Sequence, residues 1–503
     1  MNGAGNDDLA LNTLCAGKPA LVWRSLIADT ETPVSAALKL FESGRGDFLL
    51  ESVEGGAVRG RYSLLGLAPD LLFRAQGKHA EVNRHWLTDH SAFEPLSEDS
   101  LTALHTLVEA CRIDVPEGLP PALASLVGYF GYETIGLVES LPRPPENAIG
   151  VPDMMFVRPT LILVFDRLSD QLFLAAPMWP CNEAPDEQLT KARDRIETAS
   201  ARLAAPLPAA KRIGEEIPFV TPKPVLPEGR YAAMVAKAKA YIAAGDIFQV
   251  VLAQRFTMPF TLPSFDLYRA LRRINPSPFL YHLDLPGFSL TGSSPEILVR
   301  ARDGEVTIRP IAGTRPRGKT AIEDAENRAS LLADPKERAE HLMLLDLGRN
   351  DVGRVAEAGT VTVTDSYTVE FYSHVMHIVS NVVGRIAAGK TALDALFAGF
   401  PAGTVSGAPK VRACEIIAEL EPETRGAYAG GVGYFSPDGS MDSCIVLRTA
   451  IIKDGVMHVQ AGAGIVADSN AAYEQAECEA KAGALMAAAR EAVRNANDVG
   501  FGQ

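Results

Sequence analysis

The chain has 503 residues, of which 47% are apolar and 22% charged, and its formal net charge is −14. This composition is typical of a globular protein with enough apolar material for more than one domain, and it excludes a collagen-like or disordered chain. The negative balance and the absence of lysine and arginine clusters argue against a nucleic-acid partner. An anionic ligand would therefore need a site made locally positive by a metal ion or by a few placed cations.

No stretch approaches the run of about 18 apolar residues that a membrane-spanning helix requires, and the N-terminus lacks the regions of a signal peptide. The six cysteines are scattered without CxxC pairs, which argues against a disulfide framework and a zinc site. The sequence thus predicts a cytoplasmic protein with reduced thiols and no membrane attachment.

In chain order, the first part predicts short strands with one helix between them. The runs DFLLESV, from Asp47, and LILVFDRLSDQLFLAAP, from Leu161, are typical of strands, and DSLTALHTLVEAC, from Asp99, is typical of a helix. Repeated prolines exclude regular structure in 206–228, which we interpret as a linker. We expect one lobe over 20–205 and a second domain over 229–495.

Beyond the linker, helical and strand patterns alternate. YAAMVAKAKAYIAAGDI, from Tyr231, predicts a helix and FQVVLAQRF, from Phe248, predicts a strand. A helix followed by paired strands recurs in the segment that begins at Pro263. The recurrence suggests a duplicated helix-strand-strand unit.

Two later helices each carry paired acids on one face. The helix in DPKERAEHLMLLDLGRND has Asp334 as its expected N-cap, and it presents Glu337 and Glu340 three residues apart. The charged residues on one face of the later alanine-rich helix are Glu474, Glu477 and Lys481. If the helices face each other, four carboxylates would suit Mg²⁺; the alternative is that the acids complement helix dipoles and that Glu337 completes a capping box.

Two single side chains are costly to bury without a partner. Arg448, at the end of the apolar run CIVLRTA, suits either a ligand carboxylate or a structural ion pair. His377, in SHVMHIVS, lies in a predicted strand and is either a structural residue or a proton carrier. These alternatives stay open at the level of the residues alone.

An ordered series of motifs resembles the chorismate-utilising enzymes, in particular the anthranilate synthase component I family. The motifs are LLES, GRYS, NPSPF, TGSSPEILV, IRPIAGTRPRG, ERAEHLMLLDLGRND, SHVMHIVS, GTVSGAPK, GGVGYF, DSCIVLRTA and QAGAGIVADS. The resemblance implies an α+β fold of duplicated helix-strand-strand units in four α/β/β/α layers, with antiparallel sheets packed orthogonally. It also implies a regulatory N-terminal lobe and a chorismate-binding catalytic domain over 229–495.

The resemblance further implies that the chain is the aminating large subunit of a lyase. In this reaction ammonia adds to C2 of chorismate as the C4 hydroxyl leaves, and loss of enolpyruvate then yields anthranilate and pyruvate, the first committed step of tryptophan biosynthesis. Mg²⁺, feedback inhibition by tryptophan and a hetero-oligomer with a glutamine amidotransferase subunit, component II, are also implied. No GxCxG motif surrounds any cysteine, so we expect the chain to use ammonia supplied by that partner.

Residue roles carry over onto the matching positions of this chain. The predicted catalytic residues are Glu296, as the acid for the departing hydroxyl, His377 and Thr404. The predicted substrate contacts are Gly313, Thr314, Tyr428, Arg448, Gly462, Gly464 and Lys481. Magnesium would be bound by Glu340 and Glu477 directly and by Glu337 and Glu474 through water. Tryptophan would be bound by Leu50, Glu51, Ser52, Pro278, Phe279, Leu280 and Cys444. The alternative for Glu296 is an ion pair with Arg300.

Two positions favour amination at C2 over the reactions of sister enzymes. Aminodeoxychorismate synthases commonly have a nucleophilic lysine where this chain has Ala312, and isochorismate and salicylate synthases have a basic lysine where it has Gln249. Neither side chain here can attack C2 or take a proton from water. The remaining alternatives are an aminodeoxyisochorismate synthase, another chorismate enzyme, or a tryptophan-sensing protein without catalytic activity.

Overall fold

The computed structural model describes residues 4–54, 58–120, 123, 125–142, 146–208, 217–372 and 375–497, so that 209–216 of the predicted linker lie outside the described residues. The helices are α1 (Ala4–Cys15), α2 (Pro33–Leu40), α3 (Ser100–Ala110), α4 (Pro185–Ala204), α5 (Arg230–Ala244), α6 (Ser264–Ile274), α7 (Ala321–Ala333), α8 (Pro335–Gly353), α9 (Ala392–Gly399), α10 (Lys410–Leu420) and α11 (Ala471–Asn497). Short 3₁₀ helices span Tyr132–Leu137 and Gly403–Val405.

The strands are β1 (Ala20–Ile27), β2 (Asp47–Glu54), β3 (Val58–Leu67), β4 (Leu71–Gln76), β5 (His79–Asn83), β6 (Glu94–Pro95), β7 (Leu126–Phe130), β8 (Met154–Arg158), β9 (Leu161–Asp166), β10 (Gln171–Met178), β11 (Lys223–Pro224), β12 (Gln249–Pro259), β13 (Phe279–Leu285), β14 (Phe288–Ser294), β15 (Ile297–Arg302), β16 (Glu305–Ile308), β17 (Ile311–Pro316), β18 (Thr362–Phe371), β19 (Val375–Arg385), β20 (Gly407–Ala408), β21 (Gly431–Phe435), β22 (Met441–Ile445), β23 (Thr449–Lys453) and β24 (Val456–Ile465).

Across the described ranges, these strands form two antiparallel sheets of 12 strands each. Sheet A has the order β1-β10-β9-β3-β2-β13-β14-β23-β24-β12-β11, with β20 also paired to β12. Sheet B has the order β17-β19-β16-β15-β22-β21-β7-β8-β4-β5-β6, with β18 also paired to β19. The α+β prediction is confirmed. Both sheets contain strands from before and after the predicted linker, and the division into 20–205 and 229–495 stays a prediction.

Sheet A is buried on both faces at β2 and β9, which explains why these strands are apolar runs instead of alternating patterns. In β2, Phe48 belongs to the main core, together with Phe73 of sheet B, whereas the next residue, Leu49, belongs to a second core. Ile162 and Leu163 of β9 divide between the cores in the same way. The helices α1, α2 and α4 pack on sheet A, and α7, α8 and α9 pack on sheet B.

The helix-strand-strand unit occurs on both sides of the linker, as α2-β2-β3 and as α6-β13-β14. The first strands of the two units pair, with Leu50 opposite Tyr281 and Ser52 opposite Phe279. The α5 helix, in contrast, is followed by β12 alone. The pairing of β2 with β13 brings the LLES motif against the segment that follows Pro278.

The first turn of α8 differs from its prediction in one respect. Asp334 caps the helix as predicted, because its carboxylate accepts hydrogen bonds from backbone N–H groups of the first turn. The expected capping box is wrong, since the Glu337 carboxylate accepts from the Thr314 N–H at 3.1 Å and from Arg315 at 3.0 Å. A charged guanidinium is the stronger donor, and Glu337 therefore ties α8 to β17.

A buried ion pair joins the segments around the predicted catalytic residues. Arg425 is 1% exposed, and its guanidinium donates to Glu421 at 2.6 and 2.9 Å and to the carbonyls of Val251 and Val405 at 2.7 and 2.8 Å. Its backbone N–H donates to Glu133 at 2.7 Å. Arg425 thus connects β12, the 3₁₀ helix at Gly403–Val405 and a residue from before the linker.

We expect Arg425→Met to lower the free energy of unfolding by about 3–5 kcal/mol, because it leaves the Glu421 charge buried without its partner. The midpoint of urea unfolding measures this loss. The control is Arg385→Met, which removes an exposed ion pair with Glu357 at 3.5 Å and should cost no more than about 1 kcal/mol. Equal losses in the two variants would contradict the prediction.

Among the described residues, no helix combines the length and the apolar composition needed to cross a bilayer.

Candidate active site

The chain crosses between the sheets at two neighbouring places, and each crossing carries a predicted site residue. Glu296 lies between β14 and β15, and Arg448 lies between β22 and β23. Two backbone hydrogen bonds hold the crossings together, from the Ser293 N–H to the Arg448 carbonyl and from the Ile445 N–H to the Glu296 carbonyl, at 3.1 and 3.0 Å. Arg448 has a φ of +47°, a conformation that is uncommon for non-glycine residues and recurrent at functional sites.

Glu296 is buried, with 8% of its surface exposed, and the Thr404 hydroxyl donates to its carboxylate at 3.1 Å. Burial raises the pKa of Glu296 from 4.5 to about 8, against the opposing effect of the Thr404 hydrogen bond. Glu296 is therefore mostly protonated at neutral pH and can act as a general acid. The alternative ion pair with Arg300 is wrong, because Arg300 binds Asp442 at 2.7 Å.

Arg448 is half-buried, and no ion pair with a carboxylate is found for it within the described ranges. Burial lowers its pKa, and the neighbouring Tyr372 acts in the opposite direction. A desolvated guanidinium is costly without an anion. Of the two alternatives for Arg448, the structure therefore favours the ligand carboxylate over the structural ion pair.

His377 lies in β19, as predicted, next to the two β17 residues expected to line the substrate. Its Nδ1 is 3.0 Å from Thr314 Oγ1 and 3.3 Å from the Gly313 carbonyl oxygen. Burial, with a smaller contribution from the Arg448 charge, lowers the pKa of His377 from 6.5 to about 4, against the opposing hydrogen bond with Gly313. The neutral imidazole is held at Nδ1 by β17, so that Nε2 is the nitrogen that can exchange a proton with a ligand.

Gly313 has a φ of +82°, and a Cβ there would lie 3.3 Å from Glu337 Oε2. The other predicted glycines lie on β24. A Cβ at Gly462 would lie 2.9 Å from the Tyr428 hydroxyl, and one at Gly464 would lie 2.5 Å from the Gln249 amide nitrogen. The two glycines therefore let the β24 backbone lie close to the side chains of Tyr428 and Gln249.

Lys481 and Gln249 border this part of β24. The Lys481 ammonium donates to the Gly462 carbonyl at 2.9 Å, which ties α11 to β24. Gln249 is 6% exposed, and its Oε1 atom has no hydrogen-bond partner in the described structure. A buried acceptor without a partner is unfavourable unless a ligand or water supplies a donor.

The acids of α8 and α11 influence one another electrostatically. Burial raises the pKa of Glu340, and the charges of Glu337 and Glu477 raise it further. Burial and the Glu477 charge likewise raise the pKa of Glu474, which is 6% exposed. The carboxylates repel one another, and a divalent cation between them would remove this repulsion. Carboxylate oxygens are ligands that suit Mg²⁺.

Cationic side chains occupy part of this acidic region. Arg315 binds Glu337, as described above, and Lys481 pairs with Glu477 at 2.7 Å. Over the part of the chain that the structure describes, no three His, Cys, Asp or Glu side chains are arranged to hold a metal ion. The magnesium site therefore stays a prediction.

The residues predicted to bind tryptophan lie in β2, in β22, and in β13 together with Pro278, which directly precedes it. Glu51, which is 5% exposed, lies opposite Leu280. Its carboxylate accepts hydrogen bonds at 2.5 to 3.0 Å from Tyr268, Arg272 and Arg167. Burial alone would raise the pKa of Glu51, but the contacts with Arg272 and its neighbours lower it. Glu51 is thus already paired, and it anchors α6 to β2.

Cys444 lies between the β2–β13 region and Glu296. It pairs with Ile297, which follows Glu296 in the chain, and its thiol contacts Ser294, which lies opposite Phe279. Burial raises the pKa of the thiol to about 12, so it is not a reactive thiolate. The roles of Cys444, Leu50, Ser52 and Pro278 toward a ligand stay predictions.

Comparison with known proteins assigns the family. A family model described as chorismate binding enzyme matches residues 53–487. The chain is 50% identical over 488 residues to anthranilate synthase component 1 of Cereibacter sphaeroides, covering 97% of this chain and 98% of that protein. The chain belongs to the anthranilate synthase component 1 family of chorismate-binding enzymes. The recognition from ordered motifs is confirmed, and the chain is an enzyme of this family.

Two further members support the assignment. The chain is 47% identical over 467 residues to anthranilate synthase component 1 of Thermus thermophilus, covering 92% of this chain and 96% of that protein. The crystal structure of anthranilate synthase component I from Streptococcus pneumoniae TIGR4 superposes with a TM-score of 0.73 at 35% identity, covering 92% and 99% of the two chains. The fold prediction is thereby confirmed from a solved structure.

The sequence analysis missed one residue of the candidate site, Tyr372. Tyr372, which is 8% exposed, follows β18, and its ring meets the His377 ring edge-on with centroids 5.4 Å apart. Its hydroxyl donates to Glu370 at 2.9 Å. A tyrosine at the end of a strand has no sequence pattern that predicts a functional role. Tyr372 reaches His377 because β18 pairs with β19, which sets Glu370 opposite His377.

Proposed function

We propose that the chain is the aminating large subunit of an anthranilate synthase, which converts chorismate and ammonia into anthranilate, pyruvate and water. One observation carries the proposal: burial raises the pKa of Glu296 to about 8, and backbone hydrogen bonds join its sheet crossing to that of Arg448, which has no carboxylate partner among the described residues. An acid that stays protonated near a free guanidinium suits a substrate that carries a carboxylate and a hydroxyl leaving group.

The residues divide the reaction between them. Arg448 and Tyr428 bind the enolpyruvyl carboxylate, and the backbone of Gly462 and Gly464 lines the anion site. Glu296 donates its proton to the C4 hydroxyl, which leaves as water while the ammonia nitrogen bonds to C2, and the ammonium group formed there returns one proton to the Glu296 carboxylate. His377 then takes the C2 proton and returns it to the methylene carbon of the enolpyruvyl group as pyruvate leaves, so that protons balance.

The choice of ammonia and of C2 follows from two neutral side chains. Ala312 is 7% exposed and supplies no amine, so no covalent adduct with the enzyme forms at C2. The unpaired Gln249 Oε1 accepts a hydrogen bond from ammonia, which is a donor, but it cannot take a proton from water. Ammonia needs no such base because its neutral form is already a nucleophile.

Mg²⁺ belongs to the proposal as the cofactor. Glu340 and Glu477 would hold the ion directly, and Glu337 and Glu474 would hold its water ligands. When bound, the ion supplies positive charge for the ring carboxylate of the substrate. The Arg315 contact orients Glu337 toward β17, where Gly313 and Thr314 lie.

Two further parts of the proposal concern other molecules. Ammonia would come from glutamine through a separate component 2 subunit, and tryptophan would bind between β2 and β13 and inhibit the reaction. Support for the first is the name component 1 carried by the relatives. Support for the second is the pairing of the LLES strand with the strand after Pro278, together with the position of Cys444.

The decisive experiment incubates the purified chain with chorismate, Mg²⁺ and ammonium and follows anthranilate fluorescence. We expect turnover with ammonium, none with glutamine alone, and inhibition by tryptophan. Accumulation of aminodeoxyisochorismate would favour the alternative enzyme. Binding of tryptophan without any turnover would favour the sensing protein.

A further inference from the structure

Among the described residues Arg448 has no carboxylate partner, although an acid, Glu370, lies in the same cluster. Glu370 and Arg448 both act on His377: the Arg448 charge lowers its pKa and the Glu370 charge raises it. Tyr372 lies in the same cluster: its hydroxyl donates to Glu370, its ring meets the His377 ring edge-on, and it neighbours Arg448. Glu370 and Arg448 thus belong to one cluster around His377 and Tyr372, but no ion pair joins them in the described structure.

The Glu370 carboxylate is engaged on both of its oxygens. Arg309 forms an ion pair with Oε1, and the Tyr372 hydroxyl donates to Oε2 at 2.9 Å. Arg309 lines the cavity that Glu296 and Thr404 also line, so this ion pair borders the site. Because Glu370 lies opposite His377 on the paired strand, its side chain projects from the same sheet face as the imidazole.

We propose that Arg309 and Tyr372 are positioning residues that hold Glu370 away from Arg448 and so keep Arg448 free for the substrate carboxylate. The inference rests on the proposed function, because it takes that carboxylate to be the ligand of Arg448. If the Arg309 charge is lost, Glu370 becomes an anion without a full partner beside a desolvated guanidinium. The two then pair, and the substrate has to compete with an internal carboxylate.

The test uses Arg309→Met, the double variant Arg309→Met/Glu370→Gln, and Tyr372→Phe. We expect Arg309→Met to raise KM for chorismate about tenfold with kcat within about threefold, which corresponds to a loss near 1.4 kcal/mol. The double variant should return to within about threefold of the parent KM, because no internal anion is left to occupy Arg448. Tyr372→Phe keeps the ring against His377, removes one of the two anchors and should give an intermediate KM.

The control is Arg385→Met, which breaks an exposed ion pair at the far end of β19 and should leave KM unchanged. A double variant as poor as Arg309→Met would overturn the inference, since Arg309 would then act on the substrate or the fold directly. An unchanged KM in Arg309→Met would overturn it as well.

Calorimetric titration of each variant with chorismate separates this inference from the proposed function. If the parent binds chorismate but forms no anthranilate, the proposed function is wrong. The chorismate affinities of the variants can still be compared in that case. The inference then stands if Arg309→Met weakens binding and the double variant restores it, and falls if it does not.

Discussion

Replacing Glu296 by glutamine is expected to lower kcat for anthranilate formation by about 10³-fold while KM for chorismate changes by no more than about threefold. Glutamine has nearly the same shape as protonated glutamic acid and can still accept the hydrogen bond from Thr404, but its amide is far too weak an acid to protonate the departing hydroxyl. Stopped and continuous anthranilate fluorescence assays at saturating ammonium measure both constants. Glu305→Gln, at an exposed position on β16, is the control and should retain parental activity.

The pH dependence gives a second test of Glu296. In the proposed mechanism its acid form is the active form, so kcat of the parent should fall as pH rises through about 8, the pKa that burial produces. The residual activity of Glu296→Gln should lack this descending limb. A parental profile that stays flat from pH 6 to pH 9, or a variant that keeps the descending limb, would assign the proton donation to another group.

The same burial predicts an effect on stability. Between the ordinary pKa of 4.5 and the raised value of about 8, the folded protein keeps a proton on Glu296 that the unfolded chain releases. Stability of the parent therefore decreases with rising pH across this range. Glu296→Gln carries no such penalty, and its melting temperature relative to the parent should be higher at pH 8.5 than at pH 5.

Local structure could be predicted from the sequence where its causes are local. Asp334 begins α8 because its side chain accepts hydrogen bonds from the backbone amides of the first turn. The strands β2, β9 and β10 could be predicted from their apolar runs, because strands buried on both faces consist mainly of apolar residues. The Glu337 capping box failed for the opposite reason. Its competitors, Thr314 and Arg315, come from a strand that only the folded chain brings to α8.

The chemical types at the site could be predicted, but the pairings of its side chains could not. Ordered motifs located Glu296 and Arg448, whereas the partner of Arg300 came from another strand and removed the ion-pair alternative. The raised pKa of Glu296 and the lowered pKa of His377 both depend on burial, which no short motif encodes. Tyr372 was missed because only the β18–β19 pairing brings it to His377.

Replacing Glu340 by glutamine is expected to lower kcat/KM for chorismate by about 10²–10³-fold and to raise the Mg²⁺ concentration needed for half-maximal activity. The substitution keeps the size of the side chain but removes one negative charge and one strong oxygen donor from the acidic region between α8 and α11. Asp346→Asn is the matched control on the same helix, because Asp346 is 56% exposed and pairs with Arg349. It should leave the Mg²⁺ dependence unchanged.

The protonation of Glu340 predicts how Mg²⁺ binding depends on pH. In the metal-free protein its pKa is raised by burial and then by the charges of Glu337 and Glu477. Protons therefore compete with the ion, and the affinity for Mg²⁺, measured by calorimetry without substrate, should weaken as pH is lowered. Glu340→Gln should bind the ion weakly at every pH and show less of this dependence. If Glu340→Gln kept both its turnover and its Mg²⁺ affinity, the prediction would be contradicted. The acid pairs of α8 and α11 would then only complement the helix dipoles, and the substrate carboxylate would have to be held by Arg448 and Lys481 alone.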